Sequence, residues 1–329
     1  MTRPVGSTLR DLALCVACCA AFCASPLRAE EPYSFAVFGD QPYDDEERAE
    51  LPDLLQQMKE EKASFAVHIG DLKDPNDPCS DEAYADRFEV FQQSPLPLVY
   101  VPGEGDWLSC ARQLAGTRDP AERLGFVRKL FYGSATSLGT DGFELRRQST
   151  TDETFAPFRE HQSWVRGPVK FLTLNLPGGD NNWGKAAQAG DEHLLRMAAV
   201  REWMETAFDE AKKQGLLGVV VLAHANPDFP AFVADHPARG YAEFLQTLRA
   251  LVEDFPGQVL YIHGDTHVMR TDRPLLQADG QPLQRFRDVE VYGSPIIGWV
   301  EVTVDTARPN LFRVRSKPLK PDTDASQPD

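Results

Sequence analysis

"VLYIHGDTHVMR", residues 259–270, is an apolar run that ends abruptly in His263, Asp265, His267 and Arg270. Buried polar groups are unfavourable unless paired or bound to something. A buried strand with this ending therefore needs a partner for its polar groups, and other segments of the chain end alike. "FGD" stands at 38–40, "IGD" at 69–71, "PGE" at 102–104 and "LAH" at 222–224. Five apolar runs thus finish in a carboxylate or imidazole, four of them directly after glycine.

Between these endings the pattern alternates. "YSFAVFGD" (33–40) reads as a strand, "DEERAELPDLLQQMKEEK" (45–62) as a helix and "ASFAVHIGD" (63–71) as a strand. A helix over 81–93 and a strand within 96–107 follow, then strands at 169–177 and 216–224. Met197, Val200, Met204, Ala207, Phe208 and Ala211 share one helical face, as do Tyr241, Phe244, Leu245, Leu248, Leu251, Val252 and Phe255; both are core stripes. Strands and helices alternating at these lengths predict an α/β protein with a largely parallel sheet. Residues 108–165 read as a loop-rich insertion, with "RDPAERLGFVRKLFY" helical and "GFELRRQ" a strand. Beyond Thr271 come period-two strands without helices, the pattern of an antiparallel edge or second sheet. The polar, Pro-rich residues 317–329 predict a disordered tail.

The N-terminus has its own logic. Arg3 and Arg10 precede a 13-residue apolar stretch, Leu12–Ala24, too short to span a membrane. Residues 1–29 read as a secretory signal cleaved near Ala29, against an uncleaved anchor or a lipid attachment. The expected organisation is a signal peptide at 1–29, one domain at 30–316 and the tail at 317–329. The protein is expected to be exported, periplasmic or secreted, with no membrane span after cleavage. Cleavage would remove Arg3, Arg10, Arg28 and Asp11, a net +2, taking the chain from −16 to −18. Such a charge repels nucleic-acid backbones, so no nucleic-acid-binding surface is expected. Four of the six cysteines lie in the first 29 residues, which leaves Cys79 and Cys110. In an exported protein this pair predicts a disulfide rather than two buried thiols, with ~3 kcal/mol of loop-closure stabilisation.

In open α/β sheets ligands bind beyond the carboxyl ends of the strands, so the five polar endings would face one rim. Asp40, Asp71, Glu104 and Asp265 gathered there cannot all stay ionised unaided. Two divalent cations would neutralise the four carboxylates, and His224 and His267 complete a ligand set for a pair of metals bridged by one carboxylate. Each Gly-Asp pair taken alone is equally explained as a helix cap or turn; the recurrence at strand ends is what favours metal.

The order "GD … GD … PGE … H … GDTH" resembles the calcineurin-like metallophosphoesterases, whose motifs are D-x-H, G-D, G-N-H-[DE], a lone His and G-H-x-H. The resemblance spans residues 33 to about 304 and implies a four-layer α/β/β/α sandwich with a dimetal phosphoesterase centre. It implies that Asp71 bridges, that Asp40 and His267 complete one metal, and that Glu104, His224 and Asp265 hold the other. Departures stand at Pro42, in place of the His of D-x-H, and at Glu104 and Gly105, in place of Asn and the catalytic-site His. Asp265 replaces the first His of G-H-x-H. "GDQPY", "PGEGDW", "HANP" and "HGDTH" are similar to a divergent bacterial exported subgroup. The carboxylate-rich ligand set favours Mn, Fe, Mg or Ca over Zn.

Residues near the motifs supply further expectations. Asp106 is a candidate for acid-base chemistry, Tyr43 for donation to a phosphoryl oxygen, and Arg270 for a bidentate phosphate contact or, equally, a salt bridge. Asn175, Asn181 and Asn182 are candidate substrate donors; His68 and His263 read as core histidines, and His161, His193 and His236 as surface ones. The expected function is an exported dimetal hydrolase that cleaves a small phosphomonoester or phosphodiester by metal-activated hydroxide. The alternative is a catalytically impaired protein of the same fold that binds an anionic ligand. The sequence leaves the oligomeric state open.

Overall fold

The computed structural model describes residues 1, 31–185, 188–277 and 279–319. The expected signal segment, beyond Met1, and the last ten residues of the expected tail lie outside the described residues. Among the described residues no helix is long and apolar enough to cross a membrane.

The strands are β1 (Tyr33–Phe38), β2 (Ala63–His68), β3 (Leu98–Tyr100), β4 (Arg146–Arg147), β5 (Gln162–Arg166), β6 (Val169–Thr173), β7 (Gly218–Leu222), β8 (Gln258–His263), β9 (Arg270–Asp272), β10 (Phe286–Glu290), β11 (Gly298–Val304) and β12 (Phe312–Pro318). They form two sheets, ordered β12-β11-β1-β2-β3 and β4-β5-β6-β7-β8-β10-β9. Side chains alternate faces along a strand, and here every central strand is apolar on both. Phe35 and Val37 of β1 meet Val220, Leu222, Leu260 and Ile262 of the second sheet in one buried layer. Ala36 and Phe38 turn the other way, onto Leu51, Leu54, Leu55 and Met58 of the helix Asp45–Glu60. Val219, Val221, Val259 and Tyr261 likewise face Met197, Trp203 and Met204 of the helix Asp191–Lys213, and Phe244 and Leu248 of the helix Ala242–Asp254. Two sheets face to face with helices on both outer faces make an α/β/β/α sandwich, as expected.

The strands after Thr271 divide between the sheets. β10 pairs parallel to β8, whereas β11 returns to the first sheet antiparallel to β1 and carries β12 on its outer edge. Val300, Val302 and Val304 of β11 fill the layer between the sheets, and the intervening Glu301 and Thr303 are only partly covered. The expected tail boundary at 317 moves outward, because Lys317 and Pro318 pair with Trp299 and Gly298 in the β11–β12 ladder.

The insertion adds the helix Pro120–Phe131, capped by Asp119, and the β4–β5 hairpin on the edge of the second sheet. Cys79 and Cys110 are disulfide-bonded across 31 residues. His161 and His193, expected at the surface, are buried instead. His161 Nδ1 lies 2.7 Å from Gln148 Oε1, and His193 Nδ1 lies 2.8 Å from the Asn181 carbonyl. His193 stands four residues before Met197, on the buried face of the helix Asp191–Lys213, so the stripe extends one turn further than its apolar residues mark; His161 lies outside any such stripe.

Candidate metal centre

Parallel pairing puts the carboxyl ends of β1, β2 and β3 on one side of the first sheet, and those of β7 and β8 on one side of the second. The two ends share a rim. Asp40, Asp71 and His224 present ligand atoms within 4.8 Å of one another, and so do Glu104, His224 and Asp265. His267 Nε2 lies 3.5 Å from Asp40 Oδ1, so all six expected ligands meet.

The backbone is bent to achieve this. Asp40, Asp71, Asp265 and His267 have φ of 53°, 52°, 78° and 61°, a left-handed region that costs most L-residues energy. Glycine permits the close approaches. A Cβ on Gly264 would stand 1.9 Å from Asp40 Oδ2, and one on Gly105 would stand 2.8 Å from the Asp71 carboxylate. Gly105 N instead donates to Asp71 Oδ1 at 2.6 Å. The absence of a side chain at position 105 therefore belongs to the packing: the space it would take holds Asp71.

Two histidines are oriented in the same way. His224 Nδ1 faces the Ile69 carbonyl at 2.9 Å and His267 Nδ1 faces the Ser294 carbonyl at 2.7 Å. A carbonyl can only accept, so each ring carries its proton on Nδ1 and offers Nε2 to the cluster. Metal-ligating histidines are held this way. Nε2 of His224 is buried without a hydrogen bond, 2.8 Å from Glu104 Oε2, 3.6 Å from Asp71 Oδ1 and 3.8 Å from Asp40 Oδ1. His68, by contrast, spends both ring nitrogens on the Gln41 carbonyl and Gly70 N, and burial lowers its pKa to about 4; it is a neutral core histidine. His263 is also a core residue, between the Gly264 carbonyl and Asp288.

Electrostatics agree with the geometry. Burial raises the Asp71 carboxyl well above its ordinary range, and Glu104 raises it further. Burial opposes the charge on His224, yet Glu104, Asp71 and Asp40 together hold its pKa well above the usual imidazole value. Glu104 is pulled down to about 2: burial works upward, and the contact with His224 outweighs it. Four carboxylates and two imidazole lone pairs directed at one space fit divalent cations.

The two oxygens of Asp71 face different neighbours. Oδ1 is on the side of Gly105 N and His224, while Oδ2 accepts from Tyr43 Oη at 3.2 Å. Asp40 accepts from the backbone N of Asp265 at 3.2 Å, which ties the first sheet's rim to the second's. Gly178 N donates to Glu104 at 2.9 Å and Asn226 N to Asp265 at 2.9 Å. These backbone donors, with the carbonyls of Ile69 and Ser294, escape a reading of side-chain motifs.

Other expected residues stand elsewhere. Asp106 is fully buried and accepts from Asp71 N, Leu72 N, Gly103 N and Tyr100 Oη at 2.7–3.0 Å. It clamps the two rim turns, which corrects the acid-base role expected of it. Arg270 pairs with buried Glu290 at 3.2 Å rather than standing free for a phosphate. Asn175 is buried with its Nδ2 on Glu160, and Asn182 Nδ2 is held by Glu192. Asn181 is buried too, bonded to the Gly240 carbonyl.

No protein-family model matches the chain, and no curated protein matches it. Solved structures do. A dimetal phosphatase from Danio rerio superposes with a TM-score of 0.52 at 12% identity, covering 88% of this chain and 96% of that one. Purple acid phosphatase from yellow lupin (Lupinus luteus) seeds gives 0.49 at 14% identity, over 87% of this chain and 53% of that one. A 5'-nucleotidase from Candida albicans gives 0.46 at 10% identity, over 86% and 50%. The chain has the fold of the dimetal phosphatase, the four-layer calcineurin-like metallophosphoesterase sandwich.

Proposed function

We propose that this protein is an exported dimetal hydrolase that cleaves a phosphomonoester or phosphodiester. One observation carries the reading: the ligand atoms of Asp40, Asp71 and His224 lie within 4.8 Å of one another, as do those of Glu104, His224 and Asp265, and His267 Nε2 lies 3.5 Å from Asp40 Oδ1. Divalent cations at such a centre lower the pKa of bound water toward neutrality and polarise a phosphoryl oxygen. The Danio rerio protein of the same fold is described as a dimetal phosphatase, which supports this chemistry. Oxygen-rich ligation favours Mn, Fe, Mg or Ca over Zn. Export rests on the apolar N-terminal segment and agrees with the Cys79–Cys110 disulfide. The motifs "GDQPY", "PGEGDW", "HANP" and "HGDTH" resemble a divergent bacterial exported subgroup, which supports the reading of export.

The residues present set the limits of the chemistry. Asp40, Asp71, Glu104, Asp265, His224 and His267 hold and orient the cations, and backbone donors fix Glu104 and Asp265. No side chain at position 105 can protonate a leaving group, and Asp106 has its oxygens fully engaged. General acid catalysis is typically worth about 10²–10⁴ in rate. Aryl esters, whose leaving groups need no proton, are therefore the expected substrates, with alkyl phosphates slow. Purified protein loaded with Mn²⁺ should hydrolyse an aryl phosphate or a bis-aryl phosphodiester. Metal uptake without turnover of either would leave the second reading, an anion-binding protein of the same fold, which the missing groups at Pro42 and Gly105 favour.

A further inference from the structure

The centre lacks one imidazole on the side of His267, because Pro42 stands in the D-x-H position. The next residue fills the space. Tyr43 Oη lies 3.2 Å from Asp71 Oδ2 and 3.4 Å from His267 Nε2, and His267 Nε2 lies 3.5 Å from Asp40 Oδ1. Neighbouring ligands in an octahedral shell with bonds of about 2.1–2.5 Å stand about 3.0–3.5 Å apart. The three contacts, Asp71 to Tyr43, Tyr43 to His267 and His267 to Asp40, therefore match the spacing of neighbouring ligands in a coordination shell. We propose that Tyr43 Oη is itself a ligand of the cation on the His267 side, a phenolic oxygen in place of the missing imidazole. The inference rests on the metal-centre reading above.

A closed circuit of contacts holds Tyr43 in this place. Its backbone N donates to Glu47 Oε2 at 2.6 Å, and Glu47 Oε1 accepts from Ser294 Oγ at 2.5 Å. The Ser294 carbonyl in turn holds His267 Nδ1 at 2.7 Å, and the rings of Tyr43 and His267 pack edge to face with centroids 5.4 Å apart. Glu47 is 6% exposed although it lies in the first turn of a surface helix. One buried carboxylate thus sets both the phenol and the imidazole. On coordination the phenolic O–H bond breaks, its electron pair forms the bond to the cation, and the proton leaves to solvent. The added oxygen makes the shell harder, which favours ferric or manganese ions over zinc.

Iron gives a readout that is independent of turnover. The full-length protein is loaded with ferric ion alone, and its iron content and visible spectrum are measured together. The proposal expects a phenolate-to-iron charge-transfer band that Y43F loses while retaining iron and that Y241F keeps. Tyr241 is the control because its hydroxyl is occupied by the Pro177 carbonyl at 2.8 Å. A band that persists in Y43F, or iron-loaded wild type with no band, overturns the proposal. Should Y43F fail to fold or to take up iron, resonance Raman on the wild type decides: tyrosinate ring modes support ligation and their absence overturns it. Wild type that takes up no metal at all fails the metal-centre reading instead, so the two failures are distinguishable.

Discussion

His224 Nε2 lies 2.8 Å from Glu104 Oε2 while the opposite ring nitrogen is held by the Ile69 carbonyl at 2.9 Å. With Nδ1 protonated, Nε2 carries either a bare lone pair against a carboxylate or a second proton. A cation replaces both options and satisfies the two groups together. The pair joins the end of β7 to the turn after β3, so the same contact also fastens one sheet's rim to the other's.

Asp71→Asn tests the bridge. Burial first, and then the charge of Glu104, disfavour the Asp71 carboxylate, so its neutralisation relieves both in the metal-free protein. Metal-free D71N should melt at or above the wild-type temperature. Mn²⁺ should stabilise the wild type and not the variant, and kcat/KM should fall about 10³-fold, the scale of several kcal/mol of lost charge stabilisation. Scanning calorimetry with and without Mn²⁺, beside aryl phosphate kinetics, measures both.

Gly105→Ala tests why position 105 carries no side chain. The added Cβ would stand 2.8 Å from the Asp71 carboxylate, so a shift is unavoidable. Overpacking of this kind costs about 1–3 kcal/mol. Denaturant titration should show that loss, together with weaker Mn²⁺ binding; a fully stable, metal-binding G105A would contradict the packing account.

Much of this was legible in the sequence. Five strand endings predicted the rim because strand direction and a parallel sheet fix where such endings point. The cysteine pair and the core stripes were readable for similar reasons, by compartment and by period. Asp106 was misread because sequence proximity to Glu104 carries no information about which way a side chain turns in a one-turn helix. Arg270, Asn175 and Asn182 have partners, Glu290, Glu160 and Glu192, that only tertiary packing supplies. The destination of β11 was also hidden, since β10 and β11 share the same period and differ only in the sheet they join.

Asp106→Ala should act on stability first. It leaves three backbone N–H groups and the Tyr100 hydroxyl without their acceptor. Removing one partner of a buried charged network costs about 3–5 kcal/mol. Chemical denaturation should show this loss. Where the variant still folds, the shape of its pH–rate profile should be unchanged; a lost limb would restore an acid-base role.

The metal-free protein should weaken as pH rises from about 4 to 6. Burial lifts Asp265 to about 6 against an opposing pull from His224, above an unfolded value of about 3.9. The native state therefore binds this proton more tightly, and the stability it confers is full below about pH 4 and lost as pH passes 6. The loss is on the order of 3 kcal/mol for this group. Glu104 has the opposite sign: depressed to about 2, it stabilises above its unfolded pKa and loses that contribution as pH falls toward 2. Melting temperatures in chelator should peak near pH 4–5, and Mn²⁺ should remove the decline toward neutrality. A metal-free protein that grows steadily more stable from pH 4 to 7 would contradict the carboxylate cluster.

Anomalous diffraction from Mn²⁺-soaked crystals tests the bridge itself. Two peaks are expected, one bonded to Asp71 Oδ1 and His224 Nε2 and one to Asp71 Oδ2, Asp40 and His267 Nε2. Fully soaked crystals with no peak within bonding distance of Asp71 would contradict the account.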